Sequence, residues 1–216
     1  MLLCCSPGQV FPRVRCLVLV LTGAILTLPA SGLEPDEQFN RIQLRVEGVY
    51  SQPDPSVDGV GLDLGASGFW TLAPGVVAEL GVGRQQEWYE YGQGQEIDLV
   101  MQYGYFGARG VLPMTSPLRL SAAARGYRGR LGVSDELQWR SIRYHWLEAG
   151  VHYSAPGTAE ALSATLRQYR WADSTEELRV VGEWLLGGAP WGWGLSLEYS
   201  LEADYLQGGI SLNHRF

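Results

Sequence analysis

The chain has 216 residues and a formal net charge of −7, with all three of its cysteines (Cys4, Cys5 and Cys16) among the first sixteen residues. That length suits one folding unit, no Pro/Gly/Ser-rich linker divides it, and the acidic balance excludes nucleic acid as a partner. Every basic residue is Arg and none is Lys, which reads chiefly as codon usage, although Arg also suits bidentate pairing in a confined space.

The first element is an export signal. Arg13 and Arg15 precede an apolar run from Cys16 to Leu28, which ends in Pro29-Ala30-Ser31-Gly32. A basic stretch, an apolar stretch and small residues make a cleavable signal peptide, and the run falls short of the about 20 residues that span a bilayer. Cleavage is expected near Gly32, or else at Ala30, leaving 33–40 as a short lead-in and 41–216 as the folded unit. No lipobox surrounds a cysteine. The mature chain then has no cysteine, so neither a disulfide framework nor a thiolate metal site is open to it. Losing Arg13 and Arg15 moves its charge to −9.

From Arg41 onward the hydrophobic period is two, which predicts strands and almost no helix. Ile42, Leu44, Val46 and Tyr50 alternate with Gln43, Arg45 and Glu47. Leu62, Leu64, Ala66, Trp70 and Leu72 alternate with Asp63, Gly65, Ser67 and Thr71. Val76, Ala78, Leu80 and Val82 oppose Glu79 and Gly81; Ile97, Leu99, Met101, Tyr103 and Tyr105 oppose Asp98, Gln102 and Gly104. The fifth strand sets Leu118, Leu120, Ala122 and Ala124 against Arg119, Ser121 and Arg125, and the sixth sets Leu147, Ala149, Val151 and Tyr153 against Glu148, Gly150 and His152. Leu162, Ala164 and Leu166 then oppose Ser163, Thr165 and Arg167; Val180, Trp184 and Leu186 oppose Arg179 and Glu183. The ninth strand turns Leu195, Leu197, Tyr199 and Leu201 away from Ser196, Glu198 and Ser200. The tenth turns Leu206, Ile210, Leu212 and Phe216 away from Gln207, Ser211, Asn213 and Arg215.

Ala73-Pro74-Gly75, Pro113–Pro117, Ala155-Pro156-Gly157 and Gly187–Gly192 read as short turns. Between them lie polar connections, Gln52–Gly59, Trp88–Glu96, Arg128–Gln138 and Trp171–Glu177, with a tight one at Glu202–Tyr205. Short turns on one side and longer polar loops on the other suit a transmembrane barrel, and chain ends on one side require an even strand count. Ten is expected, with eight as the runner-up.

Alternation alone leaves open whether the apolar face looks inward, as in a soluble barrel, or outward into lipid. Lipid is favoured by an opposite face that mixes small residues with charges, and by aromatics near strand ends (Tyr50, Trp70, Trp88, Tyr105, Tyr153, Trp184, Trp193, Tyr199 and Phe216). The absence of disulfides agrees. The segment 207–216, with polar Gln207, Gly209, apolar Leu212 and Phe216, resembles the C-terminal insertion signal of the small outer-membrane-protein β-barrel domains of Gram-negative bacteria. His214 stands where that signal usually has an apolar residue. The resemblance covers 41–216 and implies an all-β, antiparallel up-and-down barrel in the cell outer membrane, inserted by the barrel-assembly machinery.

The inward charges are then Arg45, Glu47, Asp63, Glu79, Asp98, Arg119, Arg125, Glu148, Arg167, Arg179, Glu183 and Glu198. In a lumen this narrow both signs should pair and fill the barrel, because an unpaired buried charge costs several kcal/mol. A thin charge-lined pore is the alternative. Catalysis is not expected: His145, with Ser141 and Asp135, is the one constellation that would suit an enzyme acting on lipid A or peptides, and it matches no motif. Three separated histidines and no thiol give no metal site, and no cofactor is implied. Trp88-Tyr89-Glu90-Tyr91 is an aromatic and acidic cluster in an exposed loop, and Arg128, Arg130, Arg140 and Arg143 surround the third loop. They either anchor and solvate the rim or make it a surface ligand-binding barrel that holds outer-membrane lipid, lipopolysaccharide phosphates in particular.

Overall fold

The computed structural model describes residues 40–54, 57–91, 95–115, 117–133, 139–154, 161–171, 176–187 and 190–216. The signal segment 1–32, the lead-in before Asn40, and Asp135 lie outside them. Ten strands follow one another: β1 (Arg41–Asp54), β2 (Val57–Ala73), β3 (Val76–Tyr91), β4 (Gln95–Thr115), β5 (Leu118–Val133), β6 (Trp139–Ser154), β7 (Ala161–Trp171), β8 (Glu176–Leu186), β9 (Trp191–Ser200) and β10 (Asp204–Arg215). Each pairs antiparallel with its chain neighbours, and β1 closes on β10 from Arg41↔Arg215 to Gln52↔Asp204. Closure leaves no free strand edge, so the backbone polar groups of the wall are satisfied without water. The all-β, ten-stranded barrel read from the sequence is therefore the observed fold.

The outer wall is apolar. Leu44, Leu64, Leu80, Val82, Phe106, Leu162, Leu197 and Ile210 project from it, each at least half exposed. A continuous belt of this size is incompatible with water and compatible with lipid. Trp70, Tyr153, Trp184, Trp191, Trp193 and Phe216 ring the end that holds both chain ends, and Tyr50, Trp88, Trp139 and Tyr199 mark the other. At the first end Pro74 and Gly75 turn the chain between β2 and β3, whereas the expected turn Ala155-Pro156-Gly157 and parts of Pro113–Pro117 and Gly187–Gly192 lie outside the described residues. There Gly75 adopts φ 74°, a conformation that disfavours a side chain, and its carbonyl accepts the Val111 amide at 2.7 Å.

Two expectations need correction. The long polar loops are mostly strand: β1 runs to Asp54 and β2 resumes at Val57, β3 runs to Tyr91, and β5 runs to Val133, so Trp88 to Tyr91 and Arg128 to Gly132 are paired wall. Backbone pairing continues past the apolar belt because a polar side chain does not interrupt a ladder. The asymmetry of the two ends therefore resides in strand overhang more than in loop length. Strands β3 to β6 have 16 to 21 residues, well beyond the about 9–11 that cross a bilayer.

The second correction is the phase of β4. Tyr103 and Tyr105 face the lumen with Met101 and Leu99, whereas Asp98, Gln102 and Phe106 face out. Asp98, expected as a lumen charge, pairs across the wall with Trp88 and accepts a hydrogen bond from Gln86 at 2.9 Å. The reason is space. The facing positions on β3 are Gly83 and Gly81, where a Cβ would come within 2.4 Å of the Tyr103 ring and 2.2 Å of the Tyr105 ring. Two glycines make room for two tyrosines. The Tyr105 hydroxyl donates to Ser67 at 2.7 Å, so Tyr105 is not an interface aromatic.

Candidate functional site: the charged lumen

The inward positions of seven strands, β3 to β9, build one continuous chain of alternating charge: Arg125, Glu79, Arg109, Glu148, Arg167, Glu198, Arg179, Glu177. Arg109 Nε donates to Glu79 at 2.7 Å, and Arg125 binds the other Glu79 oxygen. Arg109 Nη1 lies 3.0 Å from Glu148, whose second oxygen accepts Arg167 Nη2 at 2.9 Å. Arg167 Nη1 reaches Glu198 at 2.6 Å, and Arg179 takes the other Glu198 oxygen at 2.9 Å and grips Glu177 through two bonds of 2.8 Å. Four guanidinium groups and four carboxylates neutralise one another along this path, and Glu79 and Glu148 are each 1% exposed. Burial of so many charges is tolerable only because each has partners with good geometry.

Aromatic rings pack around the chain. Trp146, fully buried, lies between the guanidinium groups of Arg125 and Arg167, each 4.1 Å from its ring, and Arg179 lies between Tyr169 and Tyr205. Such contacts favour the planar cation of Arg over Lys. Tyr103, Tyr105, Tyr127, Tyr144 and Trp171 extend this wall across β4 to β7, with Tyr127 and Tyr144 stacked at 4.4 Å. Opposite them, Arg45 pairs with Asp63 at 3.1 Å, the Tyr103 hydroxyl donates to Asp63, and Gln207 and Ser196 donate to Glu47.

Two cavities remain in the lumen among the described residues. A cavity of about 390 Å³ lies between the aromatic wall and the β1 side, and a second of about 30 Å³ lies nearer the chain ends. The second has the volume of about one water molecule. Arg41, Phe69, Arg109 and Glu183 line both cavities, and the Arg41 guanidinium lies 4.5 Å over the Phe69 ring.

Of the charges expected inside, Glu79, Arg125, Glu148, Arg167, Arg179 and Glu198 are brought together in the charge chain, Arg45, Glu47 and Asp63 form a second cluster on the opposite wall, and Arg119 and Glu183 line the smaller cavity. Asp98 is outside. Sequence reasoning missed Arg41, Arg109, Trp146, Glu177 and the tyrosines. Extending the period of two back from Glu148 finds Trp146 and Tyr144, and back from Arg179 it finds Glu177; Arg109 shares the phase of Tyr105 and was hidden by the inverted β4. In the C-terminal segment Gln207 faces the lumen and Leu212 the exterior, and a Cβ at Gly209 would meet the Val46 carbonyl at 2.1 Å.

The one catalytic constellation does not assemble. Ser141 and His145 both face outward on β6, four residues apart and so about 13 Å along an extended strand, too far for a base and its nucleophile. His152 bonds instead to Ser121, which is 1% exposed and out of reach of a substrate. No group of three or more His, Cys, Asp or Glu is placed to hold a metal among the described residues.

No protein-family model matches the sequence, and no curated protein matches it. Solved structures do. The transport unit of the autotransporter AIDA-I from Escherichia coli is similar with a TM-score of 0.50 at 7% identity, over 95% of this chain and 98% of that one. The fold is that of the Gram-negative outer-membrane β-barrels. Neisserial surface protein A (12% identity, 82% and 96% covered, TM-score 0.45) and the outer-membrane protein OprG from Pseudomonas aeruginosa (8%, 82% and 96%, 0.43) are further similar structures. In an outer-membrane barrel the lumen is the site where transport would occur, and here that lumen is crossed by paired charges.

Proposed function

We propose that this chain spans the outer membrane as a structural barrel with an occluded lumen, and that it is neither an open porin nor an enzyme. The observation that carries this reading is the charge chain from Arg125 to Glu177, packed around the buried Trp146. Small barrels are commonly filled by side chains, whereas wide aqueous channels need 16 or more strands. A solute that entered the larger cavity would still have to displace Arg41, Phe69 and the paired Arg109, which lie between it and the smaller one. The reading includes export through a cleaved segment 1–32, recognition of β10 by the barrel-assembly machinery through Gln207, Gly209, Leu212 and Phe216, and the Pro74-Gly75 turn on the periplasmic side. Single-channel recording on the purified protein in planar bilayers tests it. Silence is expected at moderate voltage, and reproducible conductance steps would overturn it.

A further inference from the structure

The overhang of β3 to β6 presents an arginine cluster on the outside of the wall, away from the lumen. Arg84, Gln102, Arg130 and Ser141 form one cross-strand ladder, and Arg128 and Arg143 are direct partners in the adjacent ladder. All six side chains are exposed. Ladders run about 4.8 Å per strand, so the cluster covers about 15 Å of wall. Apolar side chains flank it on both sides: towards the chain termini Val82, two residues from Arg84, is 62% exposed and Phe106, four residues from Gln102, is 71% exposed, and farther out on the same strands Trp88 and Trp139 project from the wall.

Three features suit an anionic lipid. Like charges placed directly opposite each other destabilise a sheet, yet Arg128 faces Arg143 and neither has an acidic partner among the described residues. The nearest outward acids are already engaged, Asp98 by Gln86 and Glu176 by Arg170 and Gln168. The wall is also recessed at this point, because Gly104 faces out beside Arg128 and a Cβ there would meet nothing nearer than 3.6 Å. The β1, β9 and β10 side has no such cluster: its outward residues at the corresponding end include Tyr50, Tyr199 and Leu206 together with the exposed acid Asp204.

We propose that this face binds the phosphorylated glycolipid of the outer leaflet, with the guanidinium groups of Arg84, Arg128, Arg130 and Arg143 holding its phosphates and the belt at Val82 and Phe106 holding its acyl chains. Guanidinium forks bind phosphate oxygens bidentately, and a phosphate at this height offsets the Arg128–Arg143 repulsion. The site rests on the membrane orientation given above, since the cluster lies at the end away from the chain termini.

The refolded barrel in detergent micelles is titrated with diphosphoryl lipid A and with the same lipid after phosphatase treatment, and bound lipid is counted by native mass spectrometry. The phosphorylated lipid should bind about tenfold tighter or more. The variant Arg84→Gln/Arg128→Gln/Arg130→Gln/Arg143→Gln should lose that preference while keeping heat-modifiable migration. Gly104→Leu, which fills the recess without changing charge, should weaken binding too. Arg140→Gln, in the inward ladder opposite Leu131, should leave it unchanged. Equal binding of the two lipids, an unaffected quadruple variant, or full displacement by millimolar inorganic phosphate would overturn the lipid site. Orientation is read separately by labelling Glu90→Cys on intact cells with a membrane-impermeant maleimide. Labelling puts the cluster in the outer leaflet, and protection with labelling only after lysis would overturn that placement even if micellar binding holds.

Discussion

Glu148 is the midpoint of the lumen charge chain, bonded to Arg109 at 3.0 Å and to Arg167 at 2.9 Å. Glu148→Gln keeps the shape and removes one negative charge, leaving four guanidinium groups with three carboxylates along the chain. Breaking a buried ion pair from one side costs about 3–5 kcal/mol, because the surviving charge is left uncompensated. Here Arg109 still has Glu79 and Arg167 still has Glu198, so the lower part of that range, about 3 kcal/mol, is expected. With a urea slope of about 2 kcal/mol per molar, the unfolding midpoint in lipid vesicles should fall by about 1.5 M. The decisive comparison is Glu148→Gln/Arg109→Gln, which restores neutrality while Glu79 still holds Arg125. That double variant should be no less stable than Glu148→Gln alone, so the two effects should be strongly non-additive. A midpoint shift below about 0.5 M, or simple additivity, would show that water screens these charges and that the lumen is wetter than the packing implies.

Leu197 faces lipid and Glu198 the lumen, so Leu197→Arg should destabilise the barrel by about 2–4 kcal/mol near the midplane. A well-tolerated Arg at 197 in the same vesicle assay would mean that inside and outside are exchanged. For β4, a nitroxide on Phe106→Cys should collide freely with oxygen dissolved in the bilayer, whereas one on Tyr105→Cys should be shielded; the opposite ranking would restore the original phase.

The amino-acid sequence by itself determined the class of fold. Period-two alternation from Ile42 to Phe216, with Pro and Gly at regular breaks, allows little except a closed antiparallel sheet, and charges such as Glu79 and Glu148 at alternate positions assign their own face wherever the neighbours are clearly apolar. Alternation fails where both faces are acceptable. In β4, tyrosine suits a lipid interface as well as a crowded lumen, and only the facing Gly81 and Gly83, brought alongside by the β3–β4 register, decide that Tyr103 and Tyr105 turn inward. The same inversion took Arg109 into the lumen and Asp98 out of it. Pairing was likewise a tertiary matter. The signs of the lumen charges are readable, but which carboxylate meets which guanidinium depends on the stagger of strands far apart in the chain, as with Glu79 and Arg125, 46 residues apart. The outer arginine ladder has the same origin. Arg128, Arg130, Arg140 and Arg143 are legible as a group around one connection, but only the hydrogen-bond register brings Arg84 alongside them and places Arg140 in the inward ladder opposite Leu131, because a strand fixes the face of each residue and only its neighbours fix the height.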